Sequence, residues 1–191
     1  MKKLFAAVSA SVLLCSISHA NQDHSGHKDA THSHQGHGSQ ADAHFLDRFV
    51  KHHQDGVEMA NLAQKKARSP GIKQLASKIL KDQPKEIAQM QKWRSRHFGS
   101  IDKASDMPPK MDMSKLQAAS GEEFDVAFAD MMAKHHEDGI KMIASVEREL
   151  KNPEVKQFVA KSKKNQSHER TQLAQLRASI QGSSSGTTSG Q

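Results

Sequence analysis

Apolar residues recur every three or four positions along four stretches of the chain, which is the spacing of one face of an α-helix. This pattern predicts helices over 42–67, 70–97, 121–150 and 153–180. The turn within each successive pair of helices is short, so each pair should form an antiparallel hairpin. Because each hairpin leaves an apolar stripe uncovered, we expect an all-α fold in which two helical hairpins form a four-helix bundle.

Residues that typically begin and end helices lie at these predicted helix ends. Both hairpin turns carry an N-cap residue followed by a first-turn proline, Ser69-Pro70 in one and Asn152-Pro153 in the other. Gly99 and Gly182 stand where C-terminal caps belong. We therefore expect residues 99–120 to be the long connection between the hairpins.

Two segments of the chain have nearly the same sequence at an offset of 83 positions. Residues 51–59 (KHHQDGVEM) and 134–142 (KHHEDGIKM) are identical at six of nine positions. The same offset relates Pro70 to Pro153. One constant offset across a helix and a turn indicates an internal duplication. The predicted parts are a first copy at 42–98, a connection at 99–120 and a second copy at 121–180.

The first twenty residues have the parts of a secretory signal peptide. Two basic residues, Lys2 and Lys3, precede a mostly apolar run over residues 4–17, and the segment Ser18-His19-Ala20 then ends in a small residue. We expect cleavage after Ala20 and export to the periplasm. The only cysteine, Cys15, lies within this signal, so the mature chain would have no disulfide, thiolate ligand or cysteine nucleophile.

The two ends of the mature chain contain too few large apolar residues to form a core. Residues 21–41 are rich in His, Ser, Gly and Gln, and residues 181–191 in Gly, Ser and Thr, so we expect both to be disordered. The net charge of +7 comes with only 4% aromatic residues, which argues against nucleic-acid binding. No apolar run beyond the signal is long enough to predict a membrane span.

Polar residues interrupt the apolar stripes at equivalent places in the two copies. His53 and His136 lie at the centres of the first and third stripes, and Glu86 and Glu169 lie within the second and fourth. A buried ionised carboxylate costs several kcal/mol unless it is compensated. The four residues therefore form either Glu–His ion pairs that hold the hairpins in register, or ligands of a metal ion.

Further candidate ligands lie on or beside these stripes. Imidazole and carboxylate groups suit Cu(II) or Zn(II), and thioether sulfur suits Cu(I) or Ag(I). His52 and Met59 lie on the helix line beside the first stripe, and His135 and Met142 lie on the line beside the third. Within the stripes themselves the additional candidates are Met90, Asp125 and Met132.

Two segments outside the predicted helices add possible metal ligands. Histidine-rich tracts often chelate divalent metals, although a polar linker can have the same composition. Methionines in a polar connection are either soft-metal ligands or residues that pack back onto the bundle. Histidine and methionine together in an exported, thiol-free chain favour copper. The residues concerned are His24, His27, His32, His34 and His37 near the N-terminus and Met107, Met111 and Met113 in the connection.

Two spaced motifs match the pattern of a known family. The first is Phe-Asp, Phe, Met-Met, His-His, Ile and Met over residues 124–142, and the second is Gln, Glu-Ile, Met and Trp over residues 83–93. On these motifs the chain resembles the exported bacterial family called domain of unknown function 305. The resemblance covers about residues 42–180. It implies a ferritin-like helical bundle in the periplasm, with family members linked to copper or silver binding.

These observations favour a periplasmic protein that binds copper and either sequesters it or passes it on, with silver or zinc as alternative ions. Its expected partners are metal ions and periplasmic copper-export or chaperone proteins. We do not expect an enzyme, because di-iron sites in such bundles use Glu-x-x-His, and Gln89 and Gln172 occupy the His positions. A ferritin-like metal oxidase and a metal-free structural or stress-related bundle are the two alternatives.

Overall fold

The computed structural model describes residues 36–99 and 106–185. The predicted signal peptide, the histidines at positions 24, 27, 32 and 34, and the last residues of the C-terminal tail lie outside the described residues. Within them the chain forms five helices and no strand. The helices are α1 Gly36–Lys66, α2 Pro70–Phe98, α3 Ser114–Ala118, α4 Gly121–Val146 and α5 Pro153–Ser185. None of these helices combines the length and the apolar character that crossing a membrane requires.

The N-terminal helix is longer than the apolar pattern predicts. α1 begins at Gly36, six residues before the predicted start, so His37 belongs to this helix rather than to a disordered segment. No proline separates residues 36–41 from the apolar residues that follow. The polar residues can therefore continue a helix that the buried residues further along stabilise.

Two other helix ends differ from the prediction. α5 passes Gly182 and continues to Ser185, because this glycine does not adopt the positive φ with which Gly99 (φ 42°) ends α2. α4 ends at Val146 rather than at residue 150. The chain turns there, and the turn places Leu150 fully in the core.

The connection contains a short helix that the sequence pattern did not predict. α3 lies before α4, and its Leu116 is fully buried. Met113, just before α3, is also buried, and both residues pack in the same apolar cluster. The connection is therefore held against the bundle along its second half.

Both predicted hairpin caps are confirmed. The Ser69 hydroxyl accepts a hydrogen bond from the backbone N–H of Ile72 at 3.4 Å. The side-chain oxygen of Asn152 accepts from the backbone N–H groups of Glu154 at 2.9 Å and Val155 at 3.2 Å. Each cap satisfies N–H groups that the first turn of a helix leaves unpaired.

The four long helices pack as two hairpins. α1 packs along α2 and α4 along α5, and the hairpins meet mainly through α1 and α4. α2 and α5 touch each other only slightly, which leaves a cleft between them. This arrangement makes the α1–α4 contact the centre of the bundle.

The interior has two apolar clusters with a polar layer between them. One cluster gathers the C-terminal half of α1, the N-terminal halves of α2 and α4, and α3. The other gathers the opposite ends of the long helices. Each long helix passes from one cluster to the other through polar residues, and we call these the polar layer. Its members are His52, His53, Gln83, Glu86, His135, His136, Gln166 and Glu169.

Two buried aspartates join the hairpins reciprocally. Asp125 of α4 accepts hydrogen bonds from the backbone N–H groups of Arg68 at 3.1 Å and Ser69 at 2.7 Å, in the turn of the other hairpin. Asp42 of α1 accepts from the N–H groups of Lys151 at 2.9 Å and Asn152 at 3.2 Å. All three pairs of equivalent residues are 83 positions apart, as the proposed duplication requires. Asp125, a candidate metal ligand from the sequence, thus has its carboxylate bound to a turn.

Candidate metal centre in the polar layer

The first copy contributes a His–Glu pair to the polar layer. Nε2 of His53 lies 2.9 Å from Oε2 of Glu86, which joins α1 to α2. The Nδ1–H of His53 donates to the backbone carbonyl of Phe49 at 3.0 Å. In the neutral ring Nε2 therefore carries a lone pair that faces a carboxylate oxygen. Two bare acceptors do not approach so closely, so the contact requires a proton or another cation between them.

The second copy places the equivalent residues together but bonds them differently. Nε2 of His136 lies 2.8 Å from Oε2 of Glu169, yet the approach lacks the alignment of a hydrogen bond. Among the described residues, neither ring nitrogen of this fully buried histidine has a hydrogen-bond partner. The other oxygen of Glu169 accepts a hydrogen bond from the ammonium of Lys78 at 2.8 Å. The predicted interior pairing is therefore present in both copies, and the two pairs are not equivalent.

The charge on Glu169 is stabilised by its neighbours. Burial alone would raise the pKa of this carboxyl, but contacts with His136 and Lys78 outweigh burial and hold the pKa below its usual value. Glu169 is thus ionised at neutral pH, although its side chain is only 8% exposed. A cation beside it is an electrostatic requirement.

The other two histidines of the layer contact each other at the α1–α4 interface. Nε2 of His52 lies 2.9 Å from the backbone carbonyl oxygen of His135, and Nε2 of His135 lies 2.9 Å from that of His52. The ring centroids are 3.7 Å apart. Burial lowers the pKa of His52 to about 3 and holds the pKa of His135 well below its usual value. Both rings are therefore neutral at neutral pH and donate Nε2–H to the opposite helix.

This arrangement leaves each Nδ1 with its lone pair unused. Among the described residues, Nδ1 of His52 and Nδ1 of His135 are buried and have no hydrogen-bond partner. Histidines that bind metals in proteins commonly donate their other ring N–H to a carbonyl or a carboxylate, which fixes the tautomer. His52 and His135 already have this carbonyl contact. With Nδ1 of His136, which also has no partner there, the polar layer holds three imidazole nitrogens available as ligands.

Two glycines let glutamines enter the polar layer. A Cβ atom on Gly139 would lie 2.3 Å from Oε1 of Gln166 and 2.7 Å from Cε1 of His52. A Cβ on Gly56 would lie 2.6 Å from Oε1 of Gln83. Both glutamine oxygens are buried and have no hydrogen-bond partner in the described part of the chain. The HHxDG segment of each copy thus combines histidines with the small residue that the opposing glutamine needs.

The candidate methionines do not join the polar layer. Met59 and Met132 are fully buried in one apolar cluster and Met90 in the other, while Met142 packs against the edge of the second cluster. In the connection Met113 is buried and Met111 packs against the first cluster, whereas Met107 is 40% exposed. Packing therefore accounts for most of these methionines, and Met107 is the one presented to solvent.

The described residues contain no ready-made cluster of metal-binding side chains. No three His, Cys, Asp or Glu side chains among residues 36–99 and 106–185 lie close enough together to hold a metal ion. The polar layer instead offers pairs, each associated with a proton, an ammonium group or a bare nitrogen. A metal would have to displace one of these cations and draw the ligands together.

Sequence reasoning did not identify Lys78 as part of this centre. Lys78 lies on the exposed face of α2, but its long side chain contacts both Asp82 and Glu169. The sequence did contain a hint of this difference between the two copies. The offset of 83 positions aligns Asp82 with Asn165 and the buried Ile79 with Ser162. A carboxylate in one copy is thus replaced by an amide in the other, and a buried apolar residue by a polar one.

Comparisons with known proteins agree with this architecture. The profile of the family domain of unknown function (DUF305) matches residues 17–94 and 42–177. CopM in its Cu(I)-bound form is similar at 30% identity with a TM-score of 0.65, over 72% of this chain and 96% of that chain. The Ag-bound form of CopM from co-crystallisation is similar at 30% identity with a TM-score of 0.64, over 72% of this chain and 96% of that chain. A DUF305 protein from Streptomyces coelicolor is similar at 25% identity with a TM-score of 0.67, over 74% of this chain and 93% of that chain. No curated protein matches the chain.

Proposed function

This chain belongs to the DUF305 family, and on that basis we propose that it is a periplasmic protein that binds copper and either sequesters it or passes it on. Silver is the alternative soft ion, and zinc competes for the same imidazoles. CopM has been solved in Cu(I)-, Cu(II)- and Ag-bound forms. That property belongs to CopM, and its extension to this chain rests on the polar layer.

The observation that carries the proposal is the set of three unpartnered Nδ1 atoms in the interior, those of His52, His135 and His136. A buried polar atom without a partner costs about 1–3 kcal/mol, so leaving three of them is unfavourable unless they serve a ligand. Imidazole nitrogen is a good ligand for copper. The neutral state of His52 and His135 keeps two of them competent without loss of a proton.

The His–Glu pairs are close to metal-binding geometry. Imidazole nitrogen and carboxylate oxygen bind such metals at about 2.0–2.2 Å, so two ligands at a tetrahedral angle lie about 3.3–3.5 Å apart. The N–O distances here are 2.9 Å for His53–Glu86 and 2.8 Å for His136–Glu169. A separation of a few tenths of an ångström would let a metal ion replace the proton in the first pair.

The two alternative functions, a metal-free structural bundle and a ferritin-like oxidase, predict different results. In a metal-free structural bundle the His–Glu pairs hold the hairpins in register, and no metal would change the stability of the protein. In a ferritin-like oxidase the chain would bind iron and turn over. The His positions of Glu-x-x-His are occupied by Gln89 and Gln172, which disfavours the oxidase.

The terminal and connecting segments would serve capture and delivery. The histidines before α1 would collect Cu(II) or Zn(II), and the exposed Met107 would offer a soft ligand at the surface. Periplasmic copper-export or chaperone proteins are the partners that such a role implies. The predicted signal peptide with cleavage after Ala20, and the internal duplication, belong to the same proposal.

The experiment is to purify the full chain from the periplasm, measure its metal content, and titrate it with Cu(II) in competition with Zn(II). A second protein separates the interior from the N-terminal segment, and we call it the five-Gln variant. It carries His24→Gln, His27→Gln, His32→Gln, His34→Gln and His37→Gln. We expect stoichiometric copper in the full chain, and fewer copper ions with unchanged helical content in the five-Gln variant. Stoichiometric iron with turnover would favour the oxidase, and no bound metal would favour the structural bundle.

A further inference from the structure

The cleft between α2 and α5 leads from the surface to the polar layer. It is narrow, with a volume of about 20 Å³, which is enough for one small ion or water molecule. Its walls combine carboxylates with carboxamide and hydroxyl oxygens. The lining residues that matter here are Lys78, Asp82, Glu86, Ser162, Gln166 and Glu169.

A cation already sits at this cleft, the ammonium of Lys78. Its Nζ lies 2.8 Å from Oε1 of Glu169 on α5 and 3.1 Å from Oδ2 of Asp82 on α2. Two carboxylates from two helices thus converge on one positive charge. The aliphatic stem of a lysine lets its charge reach a site that the backbone does not approach.

Unpartnered polar groups contact the other oxygen of Glu169 or line the same cleft. Both ring nitrogens of His136 lack a hydrogen-bond partner in the described part of the chain, and one lies 2.8 Å from Glu169. Ser162, only 2% exposed, lines the cleft, and its hydroxyl has no partner among the described residues. The buried Oε1 of Gln166 is likewise unpartnered there. Lys78 therefore satisfies the carboxylates but leaves an imidazole and two oxygens unsatisfied.

We propose that this cleft is a divalent-metal site that takes Cu(II) through imidazole and oxygen ligands, and that the Lys78 ammonium occupies it until the metal binds. The ligands are the Glu169 and Asp82 carboxylates with Ser162 or Gln166. His136 joins them when metal binding draws the side chains together, since no three His, Asp or Glu side chains of the described residues already lie close enough to hold a metal ion. Oxygen and imidazole donors suit Cu(II), and no thioether is among the described residues that line the cleft, so the site favours Cu(II) over Cu(I) and Ag(I). The inference rests on the proposed copper function and assigns Lys78 as the group that the metal displaces.

The two copies differ in what the metal must displace. In the first copy the His53–Glu86 contact requires a proton or another cation between the two atoms, and in the second the Glu169 carboxylate is held by Lys78. The residue equivalent to Lys78 is Lys161, which is exposed. It therefore serves as the matched control for the loss of a lysine at the equivalent position.

The test compares Lys78→Leu with Lys161→Leu in the full-length five-Gln variant. We expect Lys78→Leu to bind Cu(II) about tenfold more tightly than its parent, a change of 1.4 kcal/mol, because the competing cation is gone. Lys161→Leu should bind like the parent. Ag(I) affinity should not change in either variant, because leucine adds no metal ligand. Without metal Lys78→Leu should melt below its parent, and Cu(II) should raise its melting temperature more than it raises the parent's.

Each outcome decides between the claims. If the parent binds Cu(II) in its interior and Lys78→Leu binds it equally or more weakly, the role of Lys78 is wrong and the copper function stands. If neither protein binds Cu(II), both proposals are wrong. Binding by Lys78→Leu alone would support the proposal that the metal displaces Lys78. Should Lys78→Leu fail to fold, Lys78→Gln tests the same change in affinity, and adding Glu169→Gln to either variant should abolish the gain.

Discussion

His52 and His135 exchange hydrogen bonds across the centre of the bundle, each donating its Nε2–H to the backbone carbonyl of the other at 2.9 Å. The contact ties α1 to α4 at a point where both helices would otherwise pack apolar side chains. It also fixes the tautomer of both rings and turns each Nδ1 into a bare acceptor. One interaction thus joins the two hairpins and prepares two imidazoles as ligands.

The neutral state of these rings predicts that mild acid destabilises the protein. The pKa of His52 is about 3 in the folded chain against 6.5 for an ordinary histidine, and the pKa of His135 is also lowered. Between pH 6.5 and 3 the unfolded chain therefore binds more protons, so the free energy of unfolding falls as the pH falls. One such histidine removes about 1.4 kcal/mol per pH unit in this window.

Denaturant unfolding of the metal-free protein at pH 7.5, 6.0 and 5.0 measures this effect. His52→Gln should show a shallower loss of stability with acid than wild type, because one buried neutral histidine is gone. His168→Gln, which changes an exposed histidine one residue from Glu169, is the control and should keep the wild-type slope. Equal slopes in wild type and His52→Gln would show that His52 does not titrate as described.

Adding one methyl group to Gly139 should be costly. The new Cβ of Gly139→Ala would overlap Oε1 of Gln166 and the ring of His52, which is held by its bond to the opposite helix. We expect a loss of about 1–3 kcal/mol. Gly56→Ala should cost less, since only the end of Gln83 must move.

The control for these glycine variants is Gly182→Ala, where nothing lies within 4 Å of the new Cβ. Alanine there should leave stability unchanged or raise it by up to about 1 kcal/mol, through its higher helix propensity. The order of melting temperatures is the readout. A Gly139→Ala protein as stable as Gly182→Ala would contradict the close packing of Gln166 against α4.

The reciprocal aspartates predict equal effects in the two hairpins. Asp125→Ala leaves the N–H groups of Arg68 and Ser69 without their acceptor, and Asp42→Ala does the same to Lys151 and Asn152. Each variant should lose about 2–3 kcal/mol, since both remove partly buried hydrogen bonds to a charged group.

Asp112→Ala provides the comparison for these aspartates. Asp112 accepts an exposed hydrogen bond from the N–H of Ser114 at 2.9 Å, so its loss should destabilise the protein less than the loss of either buried aspartate. Equilibrium unfolding in urea measures all three. A large difference between Asp42→Ala and Asp125→Ala would mean that the two turns do not contribute equally to stability.

Much of the fold follows from the hydrophobic pattern because burial of one stripe per helix leaves few alternatives. The stripes predicted the four long helices, and the interruptions at His53, Glu86, His136 and Glu169 predicted the polar interior. The pattern also placed Asp125 on the interior stripe of its helix. It could not show that this carboxylate meets two backbone N–H groups, because helical periodicity gives a direction and no partner.

The remainder of the site depends on distances that no periodicity contains. The His52–His135 contact needs the crossing point of α1 and α4, which is set by packing along both helices. Lys78 lies on an exposed face, and only the reach of its side chain brings it to Glu169. α3 is too short for a helical period to be recognised, and its burial depends on the apolar cluster it covers.

The central claim is that the buried His–Glu pairs bind copper. The chain supplies its own control, because His97 and Glu154 form a pair with the same 2.9 Å contact at the surface. The measurement is the Cu(II)-induced rise in melting temperature of three proteins, all in the five-Gln variant. They are the parent, His53→Leu/Glu86→Gln and His97→Leu/Glu154→Gln.

A ligand at a hundredfold excess over its dissociation constant stabilises a protein by about 2.7 kcal/mol, which a melting curve resolves easily. The account predicts a clear rise in the parent and in the surface-pair variant, and a smaller rise in the interior-pair variant, which keeps only the pair of His136 and Glu169. An equal rise in all three proteins, or no rise in any, would contradict it.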